Sequence, residues 1–176
     1  MIVLASTSPQ RSAILEQLRI PFRVVAPSYE EVGDDPVEHA AGKARSVDGG
    51  GDPVLGVDTI VRCEGAVLGK PTTSDEAASM LATLSGRAHE VVSGLCLRTN
   101  EWEELDRAVT LVTFRELTTR EIDVYVSSGE WRERAGGYAI QGVGASLVER
   151  IEGDYLNVVG LPAALLLRFL SLRRAR

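Results

Sequence analysis

Residues 1–11, MIVLASTSPQR, predict a buried strand, a hydroxyl-rich turn and then a helix. The apolar residues 1–5 supply the strand. Pro9 suits the first position of a helix, because its fixed φ fits there and its missing N–H is not needed. Ser8 comes directly before it, so its hydroxyl is expected to cap the helix by accepting a hydrogen bond from a free N–H.

This turn is a candidate anion site. The N-terminus of a helix carries free N–H groups and a partial positive charge, which favour a phosphate. Ser6, Ser8 and Arg11 all lie within reach of that point along the chain. The residues predict a site for a polyphosphate, and they are equally compatible with an ordinary strand-to-helix turn that carries a solvated arginine.

Composition limits the kinds of partner that the chain suits. Its 176 residues are enough for one domain, or two small lobes, with a substantial core. A net charge of -6 and an aromatic content of 5% argue against a nucleic-acid-binding or anionic membrane surface. A small anionic substrate stays compatible with that charge, because a basic pocket or a metal ion can override the global field.

Cysteine usage and hydropathy indicate where the protein works. Cys63 and Cys96 have no paired spacing, so neither a zinc site nor a disulfide framework is predicted, and a reducing cytoplasm fits. The apolar run 158–172 is interrupted by Pro162 and Arg168 and is too short to span a bilayer. We expect a soluble cytoplasmic protein without a signal peptide or membrane partner.

Hydrophobic periodicity and turn residues predict alternating strands and helices. The predicted strands are 1–5, 22–26, 54–57 with 60–63, 66–68, 91–97, 109–114 and 146–151, and the predicted helices are 9–18, 37–47, 73–84, 118–126 and a last one from Pro162. Capping boxes are expected at Thr73 with Glu76 and at Thr118 with Glu121. The pattern, with a hairpin around residues 99–100, predicts one α/β domain over 1–176 with a mixed sheet.

Charged residues recur at the ends of these elements. Glu31 follows a strand in an acidic loop, where it is either solvated or available as a metal ligand or general base. Lys43 lies among alanines on a helix, where an exposed lysine is the common explanation and close approach of another segment is the functional one. Asp58 ends an apolar strand, a frequent position for metal or substrate contacts.

Two more candidates come later in the chain. Lys70 follows a strand in a loop stiffened by Pro71. Gln141 lies in a glycine-rich stretch, residues 135–144, where no helix is expected and backbone can approach a ligand closely. Together the candidates are cations, carboxylates and one amide, without a histidine or cysteine nucleophile. Phosphoryl chemistry needs charge neutralisation, positioning and a carboxylate-bound metal, so the residues predict a metal-dependent phosphohydrolase.

A series of short motifs in a fixed order resembles the Maf family of nucleoside triphosphate pyrophosphatases. The motifs, which cover nearly the whole chain, are LASTSP-x-R, Glu30-Glu31, Lys43-Ala44, GVDTIV (56–61), GKP (69–71), LSGRAHEV (84–91), FREL (114–117), AGGYAIQG (135–142) and EGDYLNVVGLP (152–162). The resemblance implies hydrolysis of a nucleoside triphosphate to the monophosphate and pyrophosphate with a divalent cation, Mg²⁺ or Mn²⁺. It also implies a homodimer, and a fold like that of inosine triphosphate pyrophosphatases, with two lobes around a deep cleft.

Residue roles follow from the same resemblance. Asp58 matches the catalytic aspartate that binds metal or activates water, and Glu31 matches its acidic partner. The substrate's phosphates are matched to Arg11, Lys43, Lys70 and the turn that contains Ser6 and Ser8, and Gln141 is matched to a position near the reacting groups. Gln10 and Arg134 depart from the family, which usually has an arginine and a lysine there.

The substrate within the family is predicted from three places. Thr59, His89 and Ile140-Gln141 look like the branch that acts on dTTP and UTP, and the alternative is the 7-methyl-GTP branch. Thr59, which follows Asp58, is also expected to bind the substrate. Two other classes are alternatives: a non-catalytic nucleotide-binding regulator of septum formation, and a nucleotidyltransferase. A nucleotidyltransferase needs a glycine-rich first turn, and residues 6–9, STSP, contain no glycine. His39 and Cys96 are assigned structural or surface roles.

Overall fold

A seven-stranded mixed sheet with flanking helices forms the frame of the protein in a computed structural model, which describes residues 1–174. Its strands are β1 Ile2–Ala5, β2 Phe22–Val25, β3 Val54–Cys63, β4 Ala66–Leu68, β5 Ala88–Arg98, β6 Glu103–Phe114 and β7 Val148–Glu152. Its α-helices are α1 Pro9–Gln17, α2 Pro36–Arg45, α3 Ser74–Leu84, α4 Thr119–Ser128, α5 Tyr155–Val159 and α6 Ala163–Arg174. No helix within residues 1–174 has the length and apolar character needed to cross a membrane.

The order of the strands confirms the predicted α/β class with a mixed sheet. The hydrogen-bonded order is β2-β1-β3-β5-β6-β7, and β4 pairs with β3. β1 runs parallel to both β2 and β3, whereas the β3–β4 and β6–β7 pairs are antiparallel. The predicted hairpin is present as β5 and β6, joined by a turn in which Thr99 N donates to Trp102 O.

The chain divides into two compact units. Unit 1 contains Met1–Thr59, Ser93–Ala108 and the chain from Gly160, and unit 2 contains Ile60–Val92 and Val109–Val159. The core of unit 1 is built from small and branched side chains of β1, α2 and β3, whereas that of unit 2 holds larger residues such as Phe114, Tyr125 and Trp131. One domain over 1–176 stays a prediction.

Close contact between α2 and β3 depends on Gly56. A Cβ at this position would lie 2.0 Å from the carbonyl oxygen of Ala40 and 2.9 Å from the amide nitrogen of Ala44. Because real Cβ atoms do not approach backbone this closely, only glycine lets the helix lie directly on the strand. Gly56, which faces the alanines of α2, thus permits the close approach of another segment that the sequence indicated as one option.

The helix termini differ from the sequence predictions in informative ways. The capping box at Thr118 and Glu121 is confirmed, with both reciprocal bonds present. At α3 only half of the box forms: Thr73 accepts from the Glu76 amide, but the Glu76 carboxylate accepts from Thr72. The predicted Ser8 cap is wrong, because its side chain makes no capping hydrogen bond.

The glycine-rich segment also corrects the sequence analysis. It forms two short 3₁₀ helices, Ala135–Gly137 and Gly142–Leu147, where the composition indicated no helix. The left-handed φ of +72° at Gly136 and +65° at Gly142 explains how glycine allows these tight turns. The strand predicted over 146–151 begins later, at Val148, because the second 3₁₀ helix occupies residues 142–147.

Burial of His89 in unit 2 predicts a pH-dependent stability. Its side chain contacts the Tyr138 hydroxyl through Nε2 at 2.8 Å, and burial lowers the pKa of His89 from 6.5 to about 4. Between these two values the unfolded chain binds more protons than the folded one, so the free energy of unfolding rises with pH across this window. Across the whole window, the lowered pKa of His89 changes the free energy of unfolding by about 3 kcal/mol.

Urea unfolding at about pH 4.5 and about pH 7 measures this contribution. In His89→Gln the part of the pH dependence that arises from this window is expected to disappear, because glutamine does not titrate. An equally steep rise in the variant would assign the pH dependence to other groups.

Candidate functional site

An ionic cluster surrounds Asp58 in unit 1. Asp58 lies inside the continuous strand β3, which corrects the prediction that it ends a strand, and only 7% of the residue is exposed. The Lys43 ammonium, carried by α2, donates to Asp58 Oδ1 at 2.6 Å. The same ammonium lies 2.5 Å from Glu31 Oε1, so Lys43 bridges a buried and a half-exposed carboxylate.

His39 is the fourth member of what we call the Asp58 cluster, which comprises Glu31, His39, Lys43 and Asp58. It is buried, with Nδ1 3.3 Å from Asp58 Oδ2 and Nε2 3.2 Å from the carbonyl oxygen of Val32. The surface role considered for His39 is therefore wrong. Cys96 is also fully buried, where a structural role is the one that fits.

The charges around Asp58 keep it ionised. Burial is the largest single influence and opposes ionisation, but the charge and hydrogen bond of Lys43, together with the charge of Arg11, lower the pKa of Asp58. Burial also disfavours the charged form of Arg11 and lowers the pKa of its guanidinium. The carboxylates of Asp58 and Glu31 oppose that shift. The site thus holds a carboxylate whose ionised form is favoured by neighbouring cations, which suits a metal–phosphate ligand.

Arg11 links the first turn to the same region of unit 1. Its guanidinium donates to the Gly160 carbonyl and to the Ser6 hydroxyl, both at 3.0 Å, and to the Thr59 hydroxyl at 3.4 Å. Thr59, the residue after Asp58, shares a 2.8 Å hydrogen bond with the hydroxyl of Ser93. The structure therefore brings together Ser6, Arg11 and Thr59, all of which the sequence predicted to bind substrate.

Ser8 makes local contacts in the same turn. Its amide donates to the Ser6 hydroxyl at 3.2 Å, and its own hydroxyl donates to the Gln10 side-chain carbonyl at 3.1 Å. These bonds hold the turn in shape and leave the first N–H groups of α1 without a serine cap. The arrangement retains the donors that an anion would need.

Lys70 and Gln141 belong to unit 2. The Lys70 ammonium is exposed and lies 3.6 Å from Glu133, a weak surface pair. Gln141 is exposed and precedes the 3₁₀ helix Gly142–Leu147. That helix is anchored by Glu130, whose carboxylate accepts from the amides of Val143 and Gly144, both at 3.0 Å.

The donor atoms of the Asp58 cluster fit a divalent cation. One ligand atom each from Glu31, His39 and Asp58 can be chosen so that all lie within 4.8 Å of one another. Two carboxylates and an imidazole are common ligands for Mn²⁺, Co²⁺ or Zn²⁺, and the carboxylates alone suit Mg²⁺. The fit includes the two residues that the sequence predicted as metal ligands, Asp58 and Glu31.

The protein thus has an α/β fold and, in unit 1, a buried carboxylate–cation centre beside a turn that contains hydroxyl groups and an arginine. The Maf family model, described as "Maf-like protein", matches residues 1–173. The chain belongs to the Maf family.

Similar proteins include three named dTTP/UTP pyrophosphatase. The one from Pyrococcus furiosus is 44% identical, over 97% of this chain and 94% of its own. The one from Bacillus cereus is 45% identical with the same coverage, and the one from Moorella thermoacetica is 46% identical over 92% of this chain and 89% of its own. A solved structure, the Staphylococcus aureus Ham1 protein, aligns with a TM-score of 0.49 at 14% identity over 64% of this chain and 71% of its own.

Sequence reasoning overlooked two contributors to the site. His39 lies four residues before Lys43 on α2, and this spacing places two side chains on one face of a helix, a signal that was available. The other is the backbone carbonyl of Gly160, which accepts from Arg11. Because it is a main-chain group 149 residues away along the chain, no side-chain pattern indicates it.

Proposed function

We propose that this protein hydrolyses dTTP and UTP to the monophosphate and pyrophosphate by attack of water at the α-phosphorus. The observation that carries the chemistry is the ionised, buried Asp58 held between Lys43 and His39 with Glu31 beside it. The choice of pyrimidine triphosphates is supported by relatives of that name at 44–46% identity. Both lines point to the same reaction class.

In this proposal Asp58 and Glu31 would hold a divalent cation, Mg²⁺ or Mn²⁺, which would supply charge neutralisation and make a bound water more acidic. Lys43 orients both carboxylates, since its ammonium contacts each of them. Arg11 is held by the Ser6 hydroxyl and the Gly160 carbonyl, so its guanidinium is already oriented when it neutralises the charge on the leaving pyrophosphate.

The remaining predicted roles enter as parts of the same proposal. Ser6 and Ser8 belong to the turn that is proposed to bind phosphate, and Thr59 on β3 contacts Arg11 beside it. The N-terminus of α1 adds backbone donors. On the family resemblance alone, Lys70 is proposed as a further phosphate-binding cation and Gln141 as a residue that acts near the reacting groups. An exposed lysine with only a 3.6 Å surface pair is available to bind phosphate, which agrees with the first of these roles.

Cellular setting and assembly rest on the family resemblance. We propose a cytoplasmic enzyme, which agrees with two buried free cysteines. A homodimer is proposed on the same basis.

A panel of nucleoside triphosphates tests the reaction, with Mg²⁺ or Mn²⁺ and with a chelator. We expect pyrophosphate as the first product from dTTP and UTP, and none in the chelator. Orthophosphate as the first product would overturn the reaction class. Preference for 7-methyl-GTP would move the chain to the other branch, and nucleotide binding without turnover would indicate a regulator.

A further inference from the structure

His39 lies on α2 one helical turn before Lys43, so both side chains point toward Asp58 on β3. Only 4% of the residue is exposed, and it is one of two histidines in the sequence. A buried imidazole needs hydrogen-bond partners for its nitrogens, whereas an apolar side chain of similar size would pack there without them. Its two ring nitrogens therefore need an explanation.

Both nitrogens of His39 face oxygen atoms that accept hydrogen bonds. The carbonyl of Val32 accepts only, so the Nε2 contact at 3.2 Å requires the proton on Nε2. Nδ1 of the neutral ring then directs a lone pair at Asp58 Oδ2, 3.3 Å away, and an ionised carboxylate has no proton to offer. Two arrangements satisfy this nitrogen: a second proton on the ring, or a cation bound by Nδ1 and Oδ2 together.

The distances agree with a shared cation. Two ligand atoms that each lie about 2.1 Å from one ion are about 3.0 Å apart at a right angle and about 3.4 Å apart at a tetrahedral angle. The 3.3 Å separation of Nδ1 and Oδ2 falls between these values. Lys43 contacts the other oxygen, Oδ1, so its hydrogen bond and a cation at Oδ2 do not compete for one atom.

The outer contact of His39 is the one that metal-binding histidines ordinarily make. A histidine that ligates through one nitrogen usually donates from the other to a carbonyl or carboxylate, which fixes the tautomer and the ring orientation. Val32 provides that carbonyl. Glu31 supplies a third ligand atom within 4.8 Å, and its half-exposed side chain has room to adjust.

We propose that His39 Nδ1 is a ligand of the divalent cation, together with Asp58 and Glu31. The inference rests on the proposed function in that it assigns this cation to the same site. An imidazole ligand favours first-row transition ions over Mg²⁺, which prefers oxygen. The site is therefore expected to bind Mn²⁺ and Co²⁺ more tightly than Mg²⁺.

His39→Gln tests the proposal, because glutamine can still donate to the Val32 carbonyl while it removes Nδ1. Mn²⁺ titration followed by the electron paramagnetic resonance signal of free Mn²⁺ is expected to show affinity about 10- to 100-fold weaker in the variant. The affinity for Mg²⁺, measured by its competition with Mn²⁺, should differ less between the natural protein and the variant. Pulsed electron paramagnetic resonance of bound Mn²⁺ should show magnetic coupling to an imidazole nitrogen in the natural protein. The same measurement should show no such coupling in His39→Gln.

His89→Gln is the matched control, since it removes the only other histidine and is expected to keep the nitrogen coupling. Bound Mn²⁺ without nitrogen coupling in the natural protein, or unchanged affinity in a folded His39→Gln, would overturn the proposal and favour the doubly protonated ring. Pyrophosphate release is measured separately. Coupling without release would contradict the proposed function alone, and release without coupling would contradict the His39 ligand alone.

Discussion

Replacing Asp58 with asparagine is expected to lower kcat for dTTP by about 10³-fold or more while the protein stays folded. Asparagine has the same shape but no charge, so it cannot balance Lys43 and Arg11 or hold a divalent cation as a carboxylate does. The neighbours keep other partners: Lys43 retains Glu31 at 2.5 Å, and Arg11 retains Ser6 and Gly160. Pyrophosphate release and circular dichroism of the same preparation measure the two effects.

Asp52→Asn provides the matched control, because it makes the same chemical change outside the cluster. Asp52 pairs with the amino group of Met1 at 3.2 Å, and its side chain is 36% exposed. Surface pairs of this kind contribute little, so activity and stability are expected to stay close to those of the natural protein. Near-normal turnover in Asp58→Asn would remove Asp58 from the reaction.

Replacing Lys43 with methionine is expected to lower the free energy of unfolding by about 3 kcal/mol at neutral pH. The Lys43 side chain is 11% exposed, and its loss leaves Asp58 buried without its strongest partner. The pKa of Asp58 should rise, because the charge and hydrogen bond of Lys43 both lower it. The acid limb of the pH–rate profile is therefore expected to move to higher pH.

The pH dependence of this loss has a definite sign. A carboxyl whose pKa is depressed by folding adds stability above its ordinary pKa of 3.8, and this stability is lost as pH falls through the lower folded value. The difference between the natural protein and Lys43→Met should therefore narrow in acid. Urea unfolding as a function of pH measures it, and a difference that does not change with pH would argue against Asp58 as the affected group.

Arg45→Met serves as the comparison for Lys43→Met. Arg45 lies on the same helix, and its 52% exposed side chain pairs with Glu103 at 2.5 Å. A pair that water can reach contributes at most about 1 kcal/mol, so this variant should be only slightly less stable. Equal losses in the two variants would mean that helix packing, and not the buried charge, explains the effect of Lys43→Met.

Local elements were predicted well where neighbouring residues decide the outcome. The strand of residues 1–5 and the helix from Pro9 follow from an apolar run and one proline, and both are present. The Thr118 capping box forms because its two partners are three residues apart. At α3 the Glu76 carboxylate accepts hydrogen bonds from Thr72 and not from the backbone of Thr73. The capping-box motif does not indicate which of the two neighbouring threonines donates.

The site was predictable in its residue types and less so in its contacts. Six residues that the sequence predicts for the site lie in unit 1: Ser6, Arg11, Glu31, Lys43, Asp58 and Thr59. Their pairing was not predictable, because Lys43 and Asp58 are 15 residues apart on different elements. His39 was assigned a structural or surface role because one histidine on a helix has many explanations until its neighbours are known.

The strand–turn–helix beginning, the alternation of elements and the set of ionisable side chains follow from the sequence alone, because they depend on residues close together in the chain. The meeting of His39 and Lys43 with Asp58 depends on the tertiary fold. That meeting requires α2 to lie directly on β3, which Gly56 allows by having no Cβ against the Ala40 carbonyl. Arg11 connects the first turn to this site, and its side chain donates to the carbonyl of Gly160. The two residues are 149 positions apart in the chain, so only the fold places them in contact.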